Sequence, residues 1–349
     1  MKKIIAFQSP LRRISDENSL PTACGIPVNE VDRKEIWSAG PVLENEAKII
    51  RRSNDLYIFI SDQYVIFLKT VSNPVQEKFL NDIGRLFGFE TPISLLIPKN
   101  SVEGKMIEGK IREEDDLLRS LLIECKSLNL ESSYIATGLL QGCSGERLTK
   151  SHFQDFSVEK QRNLFYQIGR ATSFDILTNN YDRFGLEATI HTMLQLRSRH
   201  SGSLVRNPNH GNWLYDPETG NIRLLDSAIG MNTINLDELT LRIGTIQDPV
   251  RASKYFKDML GFLPEILRNS QTISDREAID NIRRGALDGF AGIALADHES
   301  ILTIVDEVAF AQVETDSIIQ SNFFNALEIL RAIFTPKSTS SSQNSCVIL

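Results

Sequence analysis

Positive charge is in short supply in this chain. Lys and Arg number 38 against 45 Asp and Glu, which leaves a formal net charge of −7 over 349 residues. Nucleic-acid binding draws on counterion release at a basic surface, so this balance argues against it as a general activity, local patches aside. Cysteine is scarce too. Cys24, Cys125, Cys143 and Cys346 are scattered, with no Cys-x-x-Cys and no histidine clustered beside them. A zinc site or disulfide framework is therefore not expected, and a reducing compartment is favoured. No run of 18 apolar residues exists, and only four apolar residues precede Gln8 after the basic start, too few for a secretory signal or a membrane span. No G-x-G-x-x-G phosphate loop precedes the first strand pair; Ser38-Ala39-Gly40-Pro41 is the only candidate there. What is present is an ordinary soluble composition, 41% hydrophobic and 24% charged, enough for a sizeable core. The length suits a two-lobed globular enzyme or two small domains.

Residues 1–35 mix Pro, Ser and charge and read as a loosely ordered arm. Leu56–Ile60 and Tyr64–Leu68, separated by Ser61-Asp62-Gln63, read as a β-hairpin, with Lys69 closing its second strand. After Asn73-Pro74, the spacing of Val75, Phe79, Ile83, Leu86 and Phe87 predicts an amphipathic helix that starts near Pro74 and stops near Gly88. Glu77 falls in its first turn. Residues 93–97 and 133–140 read as further strands around a charged excursion at 99–116, and Gly142 with Gly145 as a turn. The region 157–180 is a long amphipathic helix that carries Asp175 on its buried stripe. Beyond Gly230 the apolar stripes are helical and include Leu239, Leu241 and Ile243, then Tyr255, Phe256 and Met259, then Ile279, Ile282 and Phe290, then Phe323, Leu327, Leu330 and Ile333.

The densest chemistry lies between Phe174 and Ile229. Asp182 follows a polar turn in Asn179-Asn180-Tyr181-Asp182-Arg183. Asn212 opens the run Trp213-Leu214-Tyr215, Asp216-Pro217-Glu218-Thr219-Gly220 has reverse-turn chemistry, and Asp226 ends a second run through Ile222, Leu224 and Leu225. The separation of 14 positions (226 − 212) suits two strands and a five-residue turn, so Asn212 and Asp226 stand at the two ends of one hairpin. Side-chain oxygens of this kind suit a hard cation, and Mg²⁺ typically takes one or two carboxylates together with substrate phosphates.

This order of elements resembles the catalytic loop and metal-binding hairpin of the protein-kinase-like superfamily, and within it the remote branches: HipA-type kinases, actin-fragmin kinase and the phosphatidylinositol 3/4-kinases, which use an Asp-Arg catalytic loop. The resemblance implies an α+β, bilobal protein-kinase-like fold with a small β-rich N-lobe (36–140) and a mostly α-helical C-lobe (141–335). It implies ATP and Mg²⁺ (or Mn²⁺) as cofactors, Asp182 to position the attacking hydroxyl, and Asn212 and Asp226 to hold metal. Lys69 is then the strand lysine on the nucleotide phosphates and Glu77 its helix partner, with Glu90 and later acids as alternatives; Gly40 marks the phosphate loop. The stretch near 133–140 leads into the hinge, and Asp175 is placed to orient the catalytic loop. Asp226-Ser227-Ala228 stands where the family has Asp-Phe-Gly, which removes the aromatic used for inward–outward switching. The acceptor is a protein or phosphoinositide hydroxyl. The rival reading is a membrane-tethered pseudokinase that binds a partner without turnover.

Two stretches depart from that pattern. Asn212 lies 30 positions after Asp182 (212 − 182) rather than a few, across a basic insert, 183–211, that contains Arg197, Arg199, His200 and Arg206. A charge run is most often a solvated face; beside a phosphoryl-transfer site it also suits a polyanion such as an inositol phosphate, a lipid headgroup or an acidic substrate. The tail, 336–349, is a polar tether ending in Cys346-Val347-Ile348-Leu349. That ending fits the C-a-a-X prenylation signal, with the terminal Leu pointing to geranylgeranyl. The expected location is cytosolic and membrane-associated, either in a eukaryotic cell or as a bacterial effector modified inside its host. The divergence resembles effector kinases of intracellular pathogens, some of which need host inositol hexakisphosphate as activator.

Overall fold

The computed structural model describes residues 22–23, 26–27, 48–53, 56–60, 65–69, 74–92, 94–98, 105, 133–138, 143–145, 156–180, 183–184, 208–216, 220–225, 236–263, 267, 272–309 and 316–335. In chain order these form β1 (Thr22–Ala23), β2 (Ile26–Pro27), β3 (Lys48–Ser53), β4 (Leu56–Ile60), β5 (Val65–Lys69), α1 (Pro74–Leu86), β6 (Ser94–Pro98), β7 (Ser133–Gly138), β8 (Cys143–Ser144), α2 (Val158–Thr178), β9 (Trp213–Tyr215), β10 (Ile222–Leu224), α3 (Leu236–Gln247), α4 (Pro249–Phe262), α5 (Asp275–Ala294), α6 (His298–Ala309) and α7 (Asp316–Phe334). Strands dominate the first half of the described chain and helices the second, an α+β arrangement.

The main sheet is antiparallel with strand order β3-β4-β5-β7-β6. The β4–β5 hairpin pairs Leu56 with Lys69 and Ile60 with Val65, so its second strand runs one residue later than the expected 64–68. A register shift between Arg51 and Ser53 interrupts the β3–β4 ladder. The chain leaves the sheet through α1 and returns to it as β6, and α1 packs on β6 and β7. Pro74 begins α1 because its fixed φ suits the first helical position and no intrahelical partner is lost there. Gly88, at φ +79°, ends it, and its N–H bonds the Arg85 carbonyl at 2.9 Å. Val75, Phe79, Ile83 and Phe87 are buried, the period of an amphipathic helix.

The helical half is built on α2 and α5. Ser157 caps α2 through its side chain to the Lys160 N–H, and Ser274 caps α5 through the Glu277 N–H. The two helices approach so closely that Gly169 faces the Ile282 carbonyl and Gly285 the Tyr166 carbonyl. Leu164, Phe165, Ile168, Ala171, Thr172, Asp175 and Ile176 are all buried, as the periodicity requires. Aromatic contacts carry this core into α1 and α7: Phe323 packs edge-on against Phe79 at 5.3 Å and stacks near Phe87 at 6.4 Å.

The structure differs from expectation at two stripe residues and at one turn. Leu241 and Ile333 are exposed on α3 and α7 rather than buried in their stripes, because the apolar faces of those helices are filled by Leu239, Ile243, Ile246, Leu327 and Leu330. The stretch at Gly142–Gly145 is not simply a turn: Cys143 and Ser144 pair antiparallel with Tyr215 and Leu214. They form β8, the third strand of the small sheet β10-β9-β8. Gly145 then lies against the Trp213 indole, and a Cβ there would stand 2.2 Å from the ring.

Candidate functional site

The site starts where α2 ends. Asn179 adopts the left-handed conformation (φ 57°, ψ 35°), which asparagine tolerates better than most side chains. The Asn180 N–H then bonds back to the Asp175 carbonyl at 2.8 Å. This reversal returns the chain over the last turn of the helix, and Arg183 comes to lie beside Asp175. Both side chains are wholly buried, and Arg183 Nη1 donates to Asp175 Oδ1. A buried guanidinium is costly unless its donors are satisfied, and Arg183 spends two more on backbone. Nε donates to the Asn212 carbonyl at 3.0 Å, and Nη2 to the Leu225 carbonyl at 2.8 Å.

The second segment is the hairpin. A single 3₁₀ turn, His210–Asn212, is capped by Asn209, whose side chain accepts from the Gly211 N–H. It delivers Asn212, which is buried, into β9. Strands β9 and β10 pair Trp213 with Leu224 and Tyr215 with Ile222. Gly220, at φ +77°, permits the reversal, and its N–H bonds the Asp216 carbonyl at 2.8 Å. At the open end, the Leu225 N–H donates to the Asn212 carbonyl at 2.9 Å. The same carbonyl oxygen therefore accepts from Arg183 and from Leu225, which joins both ends of the hairpin to the segment following Asp182. Trp213 packs against Phe184 at 6.0 Å and seals the apolar side of this junction.

A third segment braces the hairpin from outside. After Gly88 the chain passes along β10, where the Glu90 carbonyl accepts from the Leu224 N–H at 2.8 Å. The Glu90 carboxylate accepts from Asn221 at 2.9 Å and from Arg223 at 2.6 Å, and Arg223 also donates to Asp216 at 2.8 Å. The Arg170 guanidinium lies 5.2 Å over the Phe89 ring and donates to the Gly88 carbonyl. Glu90 is thus committed to the hairpin. Glu77 is the α1 carboxylate buried to 1% exposure, on a helix that covers the sheet.

The expected site residues divide into two groups. Lys69 is the last residue of β5, opposite Leu56 and Ile135. Glu77 and Asn212 are buried at the positions just given. Asp182, Asp226 and Gly40 lie outside the described residues, as do Arg197, Arg199, His200, Arg206 and Cys346. Asp182 directly precedes Arg183, and Asp226 directly follows Leu225. The basic insert loses its first member: Arg183 is core, and Phe184 beside it is equally buried. In the sequence that arginine reads only as the companion of Asp182. The clue to its burial was Asp175, an acid on the apolar stripe of α2 that needed a cation nearby. Among the described residues there is no cluster of three or more His, Cys, Asp or Glu side chains that could hold a metal, and no helix long and apolar enough to cross a membrane.

No known family model matches the chain, and no curated protein does either. Among solved structures, it overlaps with a "putative aminoglycoside phosphotransferase" from Ralstonia eutropha at 8% identity, covering 85% of this chain and 93% of that one, with a TM-score of 0.31. An overlap this loose fixes neither fold class nor activity.

Proposed function

We propose that the chain is an ATP- and Mg²⁺-dependent phosphotransferase built on a bilobal protein-kinase-like fold. One observation carries the reading: the Arg183 guanidinium binds the Asn212 and Leu225 carbonyls, so the backbone next to Asp182, Asn212 and Asp226 meets at one point. The Asp226 carboxylate and the Asn212 amide oxygen make an oxygen-only donor pair, which, completed by nucleotide phosphates, fits a hard cation. Bound Mg²⁺ supplies charge neutralisation at the transferring phosphate, and this reaction class depends on positioning and electrostatics rather than covalent chemistry. In this reading Asn212 and Asp226 hold the ion, Asp182 orients the acceptor hydroxyl, and Lys69, supported by Glu77, holds the nucleotide phosphates. Gly40 belongs to the loop over them.

The acceptor in this proposal is a protein or phosphoinositide hydroxyl. Arg197, Arg199, His200 and Arg206 bind an activating inositol polyphosphate. A thermal-shift titration with ATP and Mg²⁺, followed by transfer of labelled phosphate to candidate proteins and lipids, tests the core of the reading. Mg²⁺-dependent stabilisation with transfer supports it. Stabilisation without transfer leaves a nucleotide-binding pseudokinase, and neither effect rejects both.

A further inference from the structure

We infer that Arg183 and Asp175 form a positioning unit that sets the geometry of the metal site while touching neither metal nor substrate; the inference rests on the phosphotransferase reading above. Arg183 is wholly buried, and its three assigned partners lie on three separate segments: Asp175 on α2, the Asn212 carbonyl at the entrance of the hairpin and the Leu225 carbonyl at its exit. The planar guanidinium presents its donors in a fixed fork. Satisfying these three partners therefore fixes the spacing between the hairpin ends and the segment that begins at Arg183, the residue directly after Asp182. Asp175 compensates the buried charge and orients the fork. A lysine at position 183 keeps the charge beside Asp175 but has one flexible nitrogen where the site uses three directed ones.

The separation of roles follows from the chemistry. If the pair served only to hold the fold, an apolar replacement of similar volume would restore both stability and activity, because buried ion pairs are often replaceable by packed hydrophobic residues at little cost. If it aligns the carbonyls, that replacement restores folding alone. Loss of an outer partner that orients metal ligands typically costs about 10–100-fold in metal affinity or activity, and a misplacement near 1 Å costs about 100-fold in rate.

The test uses the full chain as wild type, Arg183→Lys and the double variant Arg183→Met/Asp175→Leu, read by melting temperature, by Mg²⁺ dependence of ATP binding and by labelled-phosphate transfer. The expected result is that Arg183→Lys folds with an apparent Mg²⁺ constant raised by about tenfold or more and kcat lowered by about 100-fold, with KM for ATP little changed. The folded double variant shows the same Mg²⁺ defect. Wild-type Mg²⁺ dependence and kcat in Arg183→Lys, or in a folded double variant, overturn the positioning role while leaving the phosphotransferase reading in place. If the double variant does not fold, Arg183→Lys decides alone. Absence of Mg²⁺-dependent ATP binding in the wild-type protein overturns the phosphotransferase reading and the positioning role with it.

Discussion

Gly169 of α2 lies so close to α5 that a Cβ placed on it would stand 1.9 Å from the Ile282 carbonyl oxygen. Gly285 meets the Tyr166 carbonyl at the same distance, and Gly289 would meet the Ser173 hydroxyl at 2.1 Å. The first two contacts are with backbone, which cannot rotate away. Gly169→Ala or Gly285→Ala therefore forces the two central helices apart. Each is expected to destabilise the fold by about 3 kcal/mol, near the upper end for overpacking, as measured by urea unfolding. Gly292→Ala, on the open face of α5 with nothing within 4 Å of its notional Cβ, should instead be neutral or slightly stabilising through helix propensity.

The brace between Glu90 and the hairpin predicts an order of effects. Arg223→Ala removes bonds to both Glu90 and Asp216, and Arg223 and Asp216 are largely buried at 17% and 10% exposure. A cost of about 1–2 kcal/mol follows. Glu90 is 39% exposed, so Glu90→Gln, which keeps the backbone bond to Leu224, should cost well under 1 kcal/mol. Thermal unfolding of the two variants checks the order; equal effects would mean that the Arg223–Asp216 contact contributes nothing.

Phe323 ties α7 to α1 through Phe79 and Phe87. Truncation in a wholly buried position leaves a cavity between α7 and α1. Phe323→Ala is expected to cost about 3–5 kcal/mol, with the loss of hydrogen-exchange protection spreading into α1.

Much of this architecture is legible in the chain. Ser157 and the 3.6-residue stripe delimit α2, Pro74 and Gly88 delimit α1, and the Asp216–Gly220 turn sets the β9–β10 hairpin, because caps and turns act over a few residues. What is not legible depends on distant pairing. Cys143–Ser144 is too short to read as a strand until β9 is there to pair with it. Glu90 reads as a candidate partner for a strand lysine until β10 presents Arg223 and Asn221. Arg183 reads only as the companion of Asp182 until the reversal at Asn179 sets it on Asp175. For Asp182 and Asp226 the described structure supplies the immediate neighbours, Arg183 and Leu225.

Burial pushes the Tyr215 hydroxyl up to about 12, with the adjacent Asp216 carboxylate adding to the effect. Its folded value lies above the unfolded one near 10, so between about pH 10 and pH 12 the folded chain holds a proton that the unfolded chain releases. Stability therefore falls as pH rises through that window, by on the order of 2 kcal/mol. Tyr215→Phe should remove this part of the alkaline loss. It should be nearly neutral at pH 7, since the hydroxyl is buried without a hydrogen-bond partner among the described residues. Denaturant titrations of both proteins at pH 7, 10 and 11.5 check both statements.

The proposed function requires Asp182, Asn212 and Asp226 to act together on a Mg²⁺-bound nucleotide. Its most direct test is transfer of labelled γ-phosphate from ATP by the full chain, as wild type and as Asp226→Ala, with melting temperatures recorded for both. The expected result is Mg²⁺-dependent transfer by the wild type and, in the variant, a loss of about 100–1,000-fold, the scale of removing a main source of transition-state charge stabilisation, with the fold retained. Full activity in a folded Asp226→Ala protein would contradict it.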